Sequence, residues 1–367
     1  MKDWKEIYFN DFIKLNRGFD LTNSQLVEGE YPVVNSTEIK FYHKNFKVFG
    51  PGVVTGRSGS LGTVQYVEGK YWPHNTTLYV KDFKGNHPKF VYYFLQVMHL
   101  ENFNSGAGVP TLNQNHLHKQ KIIIPEPETQ QRIASILSAY DDLIEVNNQR
   151  IKLLEQTARE LYKEWFVRMR FPGYKQAKFK KGVPISEGEV IYFKDFIKLN
   201  RGFDLPEDKV VEGIYPVVAS TSIKTYQNQF KVKAPIIVTG RSGSLGKVQY
   251  VNQDGWPHNT ALYVKDFKGN EPLYVFYTML GMDFESFNSG AGVPTLNQNH
   301  LHKLKLWVAG KLLQEKFKKI AEPMNLQIET LQQQNTQLRQ IRDRLLPRLI
   351  SGKLQAKETT YKKAVIA

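Results

Sequence analysis

One long stretch of this chain is written twice, and that duplication limits the possible folds more than any other feature. DFIKLNRGFD begins at Asp11 and again at Asp195, VTGRSGSLG at Val54 and Val238, WPHNT at Trp72 and Trp256, and FNSGAGVPTLNQNHLHK at Phe103 and Phe287. Every pair is 184 residues apart, so the copies align without a gap, and 78 of the 112 positions from Tyr8 to Lys119 are identical to Tyr192 to Lys303. Solenoid repeats run to roughly 20–50 residues, so a unit of this length reads as a duplicated domain. Within each copy, short apolar runs alternate with Gly, Pro and Asn punctuation. Tyr31–Val34, Gly52–Thr55, Thr63–Val67 and Thr77–Val80 read as strands of the first. Strand-rich copies with interspersed helices predict an α+β class.

After each copy the hydrophobic period changes. Ile133, Leu137, Tyr140, Ile144, Asn147, Ile151, Leu154, Ala158, Leu161 and Trp165 recur in alternating steps of four and three, the spacing of a coiled-coil seam. Pro127, with Glu126 and Glu128 around it, suits a helix start, and Phe171-Pro172-Gly173 a stop. Such a helix of about 40 residues is about 60 Å long. The second copy is followed by the same pattern at Phe317, Ala321, Met324, Ile328, Leu331, Asn335, Leu338, Arg342, Leu345 and Leu349. There Pro323 is expected to break or kink the helix, Pro347 to end or bend it, and Gly352 to cap it. The predicted order is a head over residues 1–125, a long helix over 126–172, a second head over 173–309, a second long helix over 310–353 and a basic tail over 354–367. If the helices pair antiparallel, a pseudo-twofold axis relates the heads and the polar seam positions Asn147 and Asn335 meet. A buried Asn pair of that kind costs stability and fixes register. The alternative is that both asparagines face solvent.

The net charge of +15 points to a polyanionic partner, most simply nucleic acid. No apolar run nears the roughly 20 residues of a membrane-spanning helix. The start, Met1-Lys2-Asp3-Trp4, has no apolar signal segment, which suggests a cytoplasmic protein without membrane association. There are no cysteines, hence no disulfide, thiolate metal site or cysteine nucleophile, and the nine histidines form no ligand cluster. Thr55-Gly56-Arg57-Ser58-Gly59-Ser60-Leu61-Gly62 imitates a phosphate-binding loop. The second copy, however, has one residue too many before Gly246, and Val248 stands where a metal-binding hydroxyl belongs. Asp141-Asp142 is a carboxylate pair whose members point to different faces of a helix, so it reads as solvated surface. With no nucleophile elbow or dinucleotide fingerprint either, the chain reads as a binding protein without catalytic residues and without a metal.

Side chains able to read base edges crowd the identical stretches. Arg17 and Arg201 stand in KLNRGFD. Arg57, Ser58 and Ser60 occupy the first Gly-Ser loop, and Arg241, Ser242 and Ser244 the second. His74, Asn75 and Thr76, repeated as His258, Asn259 and Thr260, follow a Trp-Pro turn. The longest identical run holds Asn104, Thr111, Asn113, Gln114 and Asn115, repeated as Asn288, Thr295, Asn297, Gln298 and Asn299. Thr111 or Asn113 is placed to cap a short helix whose N-terminus would enter a groove. Taken singly, each also has a structural reading, because Asn and Thr cap helices and turns and a Gly-Ser loop is a tight hairpin.

PEPETQQRIASILSAYDDLIEVNNQRIKLLEQTARELYKEWF (Pro125–Phe166) closely resembles the central conserved region of Type I restriction-modification specificity subunits. LQQQNTQLRQIRDRLLPRLISGKL (Leu331–Leu354) resembles their C-terminal conserved region, and TLNQNHLHKLKL (Thr295–Leu306) the end of a target-recognition domain. The resemblance implies two target-recognition domains held apart by antiparallel helices, each domain reading half of a split site in double-stranded DNA. It implies methyltransferase subunits, two of them, docked on the helices, with restriction subunits joining through the complex. S-adenosylmethionine, ATP and Mg would then belong to those partners, and this chain would bind no cofactor. Family members usually carry two dissimilar recognition domains; here the two are nearly the same, which predicts a palindromic or nearly palindromic target. The competing readings are a stand-alone regulator with two DNA-binding heads, and a scaffold whose helices hold protein and whose heads hold RNA.

Overall fold

A computed structural model describes residues 4–106, 108–242, 244–288, 295–296 and 298–356. Two compact units result, residues 1–148 with 332–367 and residues 149–331, so each contains one copy of the repeat and a portion of each long helix.

In the first unit the strands are β1 (Trp4–Tyr8), β2 (Lys14–Arg17), β3 (Glu28–Val34), β4 (Ile39–His43), β5 (Val48–Phe49), β6 (Gly52–Gly56), β7 (Val64–Val67), β8 (Lys70–Pro73), β9 (Thr77–Asp82) and β10 (Lys121–Pro125). One antiparallel sheet has the order β2-β9-β6-β7, a second has the order β4-β3-β8-β5 with β3 and β8 parallel, and β1 pairs with β10 from Trp4↔Pro125 to Tyr8↔Lys121. All five residues of β6 are buried, as a short continuous Gly-Val-Val-Thr-Gly run flanked by turn residues requires. The helix Pro88–Val97 starts on a proline, whose missing N–H would be unpaired there in any case. It packs Phe90, Val91, Phe94 and Leu95 against Phe9, Phe12, Ile13 and Leu15. Phe12 meets Phe94 edge to face at 4.9 Å with no exposure of its own, so Phe12→Ala should cost about 3–5 kcal/mol. The second unit repeats this plan with sheets built on Ile236–Gly240 and on Tyr215–Val218.

The long helices are α1 (Pro127–Tyr162), continued by a wider π turn over Lys163–Val167, and α2 (Lys311–Ile350). A buried glutamine clamps each to its head. The Gln130 amide donates to Asn86 Oδ1 (2.7 Å) and the Pro125 carbonyl (3.0 Å) and accepts from His87 N (3.0 Å). Gln314 does the same with Asn270 (2.8 Å), Ala309 (2.7 Å) and Glu271 (2.8 Å). Burying an amide is tolerable only when its partners are supplied, and here they are.

In each unit the two helices run antiparallel. In the first, Asp141 meets Arg342 and, further along α1, Asn147 meets Asn335 further back along α2. In the second, Phe317 packs on Tyr162, Trp165 and Phe166. The seam departs from expectation at its prolines. Helix α2 runs without interruption through both Pro323 and Pro347. An interior proline costs about 3 kcal/mol, and burying Phe317, Ala321, Ile328 and Leu331 around it outweighs that local loss. Gly352, at φ +70°, follows the helix as its cap, with its N–H on the Leu349 carbonyl at 3.2 Å. Helix α1 also stops sooner than Phe171-Pro172-Gly173: Met169 already takes φ +55°.

Candidate nucleic-acid interface

Three loops far apart in sequence come together in the first unit. Arg57 N and Ser58 N donate to the Thr76 carbonyl (2.8 and 3.2 Å), Leu112 N donates to the Arg57 carbonyl (2.8 Å), and Gly59 N donates to the Pro110 carbonyl (3.0 Å). Ser58 and Thr111 form an antiparallel bridge. The Gly-Ser loop, the His74-Asn75-Thr76 turn and the 103–112 loop therefore form one hydrogen-bonded cluster. Gly56 is obligatory in it, since a Cβ there would lie 1.9 Å from the Ser60 carbonyl oxygen. Four of these contacts recur among the described residues of the second unit. Arg241 N and Ser242 N reach the Thr260 carbonyl (2.9 and 3.4 Å), Leu296 N reaches the Arg241 carbonyl (3.0 Å), and Ser242 bridges Thr295.

Side chains on this cluster fall into two groups. The first serves the loops themselves. Asn104 Oδ1 accepts from Gly106 N (2.9 Å) and Thr111 N (2.8 Å), and Asn288 Oδ1 accepts from Thr295 N (2.9 Å). Thr111 Oγ1 donates to the Val109 carbonyl at 3.0 Å. Asn113 caps the helix Gln114–His118 by accepting from Asn115 N at 2.9 Å, and that helix is only five residues long. Its Asn115 N–H is thus met by its own cap. His74 Nδ1 lies 3.1 Å from Thr76 Oγ1, and His258 Nδ1 3.1 Å from Thr260 Oγ1. Burial first of all lowers both imidazole pKa values, so at neutral pH they are uncharged turn members.

The second group presents charge and amide to the outside. Arg17 Nη2 is 3.0 Å from Asp20 Oδ1, and the Asn75 amide donates to the same oxygen. Arg57 Nη1 reaches the Asn75 carbonyl at 3.2 Å, which ties both arginines to one turn. Asp20 is kept below its ordinary pKa by the Asn75 hydrogen bond and then by Arg17. In the second unit Arg201 pairs with Asp204 at 3.2 Å and Asn259 donates to it. An exposed ion pair contributes little stability, and its value here is to aim a guanidinium whose other N–H donors stay available. Ser60 and Ser244 are exposed at their loop tips. Asn297 and the side chains of Gln298 and Asn299 lie outside the described residues.

Sequence reasoning overlooked Asp20 and Asp204, although both end the identical run KLNRGFD. It also misplaced Asp141. That carboxylate is not a solvated helix surface: it accepts from Tyr93 Oη and pairs with Arg342.

Three of the segments at which the two copies differ lie elsewhere. Thr22–Leu26, Phe41–Asn45 and Glu68–Tyr71 border the β4-β3-β8-β5 sheet, where His43 Nε2 lies 3.0 Å from the Gln25 carbonyl oxygen and the His43 ring packs on Trp72 at 5.2 Å. From the first two of these, Gln25, His43, Lys44 and Asn45 line part of an open cleft of about 740 Å³ that also includes Phe46 and Lys47. In the second unit Gln227 replaces His43 and accepts from Val211 N at 2.8 Å.

Among the described residues, no group of three or more acidic or histidine side chains is placed to hold a metal ion, and no helix is long and apolar enough to cross a membrane. The family model described as "Type I restriction modification DNA specificity domain" matches residues 1–156 and again 186–340. The chain is 25% identical over 304 residues to the Type I restriction enzyme MjaIX specificity subunit of Methanocaldococcus jannaschii, covering 74% of this chain and 70% of that protein. It is 41% identical over 58 residues, 16% of this chain and 13% of the relative, to the HindI specificity subunit of Haemophilus influenzae. Among solved structures, the Type I restriction-modification S subunit from M. genitalium shares the fold with a TM-score of 0.66 at 17% identity, over 95% of this chain and 96% of that one.

Proposed function

Because this chain belongs to the Type I restriction-modification DNA specificity family, we propose that it is the sequence reader of a methylating and restricting complex, with each head reading one half of a split site in double-stranded DNA. The observation that carries the reading is the loop cluster built twice: Arg17 and Arg57 on the Asn75 turn, with Arg201 and Asn259 on Asp204 in the other copy. Two heads bearing the same arginines on the same frame read near-identical half-sites, and an antiparallel seam favours the inverted orientation, hence a palindromic or nearly palindromic target. Arginine suits the guanine edge or a phosphate, and exposed amides and hydroxyls suit the remaining base edges. Any difference between the half-sites traces to the divergent sheet around His43 and Gln227.

In this reading two methyltransferase subunits dock on the long helices, and restriction subunits join through the complex. S-adenosylmethionine, ATP and Mg²⁺ are held by those partners, while this chain supplies recognition and no reacting group. A cytoplasmic location follows from that role.

The test is to co-express the chain with its methyltransferase partner in a methylation-free host and map modified adenines by long-read sequencing. A split motif with matching inverted halves is expected. A split but clearly asymmetric motif would keep the specificity role and transfer the readout to the divergent sheet. No new methylation, with partner expression verified, would leave a bivalent regulator.

A further inference from the structure

Duplication creates a hazard for the long helices. Because α1 and α2 follow copies of one unit, α1 of one chain could pair with α1 of another, and α2 with α2. The two polar sites of the seam are mismatched in both of those arrangements and matched only when α1 meets α2.

At the first site Asn147 Nδ2 donates to Asn335 Oδ1 at 3.0 Å, and Asn335 Nδ2 donates to Asn148 Oδ1 at 2.9 Å, with Asn147 1% and Asn335 2% exposed. Moving Asn335 back by the 184-residue offset gives Ile151, and moving Asn147 forward gives Leu331. In the antiparallel register Ile151 stands opposite Leu331, four residues along α1 and four back along α2. Like-with-like pairing would therefore set Asn147 against Ile151 twice and Asn335 against Leu331 twice, leaving both Asn147 amides without partners and each Asn335 with only Gln332, the offset counterpart of Asn148.

At the second site Asp141 accepts from Tyr93 and pairs with Arg342. The offset counterparts are Asn325 and Ala158, and there Asn325 Nδ2 donates to Tyr277 Oη at 3.1 Å, an amide in place of the carboxylate and a methyl in place of the guanidinium. Carboxylate and arginine thus occur together in one unit, amide and alanine together in the other. Like-with-like pairing would put Asp141 against Ala158 and Arg342 against Asn325.

We propose that Asn147, Asn335, Asp141 and Arg342 form a pairing code that admits α2 against α1 and rejects a second copy of either helix, so that the chain closes on itself instead of pairing with another chain. This is independent of which DNA the heads read. A buried amide without its partner disfavours an arrangement by about tenfold, so the two Asn147 amides alone shift the balance by on the order of 10²-fold.

Moving the asparagines without changing their number tests the code in the full chain. D141N/R342A first makes the charged site identical in both units, and this variant should remain a 42.4 kDa monomer by light scattering, like the parent. Adding N147I/L331N places both asparagines on α2, so that α1 matches α1 and α2 matches α2. Adding I151N/N335L instead places both on α1, with the same consequence. Both quadruple variants should run at twice the monomer mass, with helical circular dichroism retained. A parent that is itself dimeric overturns the proposal. So do quadruple variants that stay monomeric and folded. So does loss of folding in both, since a matched seam was open to them.

Discussion

Removing Arg342 should damage the first unit more than removing Arg342 and the Asp141 charge together. Asp141 is 28% exposed and Arg342 25%, so this is a partly desolvated pair, with Tyr93 as a third member that is only 2% exposed. Burial, and then the hydrogen bond to Asp141, push Tyr93 well above the ordinary phenol range, so it stays a donor. Arg342→Ala leaves a half-buried carboxylate without its cation. Breaking a fully buried pair costs about 3–5 kcal/mol, and a quarter exposure to solvent reduces that to about 2. Asp141→Asn alone keeps a partner for Tyr93 and leaves the guanidinium on Asp343 (2.8 Å), at about 1 kcal/mol for the lost charge. The double variant reproduces what the second unit already has, Asn325 bonded to Tyr277 with Ala158 alongside, and should cost under about 1 kcal/mol. For a unit of this size, 2 kcal/mol lowers the melting temperature by about 4–8 °C. Calorimetry on the full chain should therefore give Arg342→Ala the lower first transition and the double variant one close to the parent. A double variant that loses the sum of the two single losses would refute the coupling, and with it the claim that these residues act as a unit.

Gly56→Ala should collapse the loop cluster, because the new Cβ would meet the Ser60 carbonyl; DNA affinity measured by anisotropy should fall while the helical signal persists. Arg57→Ala and Arg241→Ala should each weaken binding to the split site by about 1–3 kcal/mol, and equally, if the half-sites match; unequal losses in competition binding would argue for asymmetric readout. Affinity should fall steeply from 50 to 200 mM salt, with a log–log slope proportional to the number of phosphates neutralised, and a flat profile would exclude backbone contacts of this kind. His118 Nε2 accepts from Leu15 N at 3.2 Å, and burial lowers its pKa, as it does those of His74 and His258. The unfolded chain therefore binds more protons below the ordinary value near 6.5, so stability should be constant above it and decline as pH falls below it; melting curves from pH 7.5 to 5.5 that stay level would contradict this.

What could be read from sequence is what local rules control. A fixed 184-residue offset and a four-three apolar alternation need no knowledge of distant contacts, and every seam position is buried or half-buried. Base-edge side chains could be counted, but not sorted. Asn104 and Asn113 look as exposed in sequence as Asn75, yet their oxygens are committed to neighbouring backbone N–H groups, which only the folded loop reveals. Asp20 escaped notice because its partner Asn75 is 55 residues away, and Asp141 because Arg342 is 201 residues away. At Pro323 the helix is unbroken for the reverse reason: a local rule weighs the cost of the proline without the surrounding core.

The pattern of identity between the copies has a physical sense of its own. On the proposed reading, loops that meet the same kind of ligand twice have no cause to differ, and Arg17, Arg57 and Asn75 recur unchanged as Arg201, Arg241 and Asn259. Helices that must be each other's partners face the opposite demand, because two identical seams cannot distinguish self from partner. Asn147 and Asn335 therefore do not fall at offset-equivalent positions, and neither do Asp141 and Arg342. An offset-symmetric seam, with Asn at 147, 151, 331 and 335 on the D141N/R342A background, would satisfy every amide and still lose this distinction. That variant should fold and bind DNA yet exchange partners between differently tagged chains on refolding, whereas the natural seam should not.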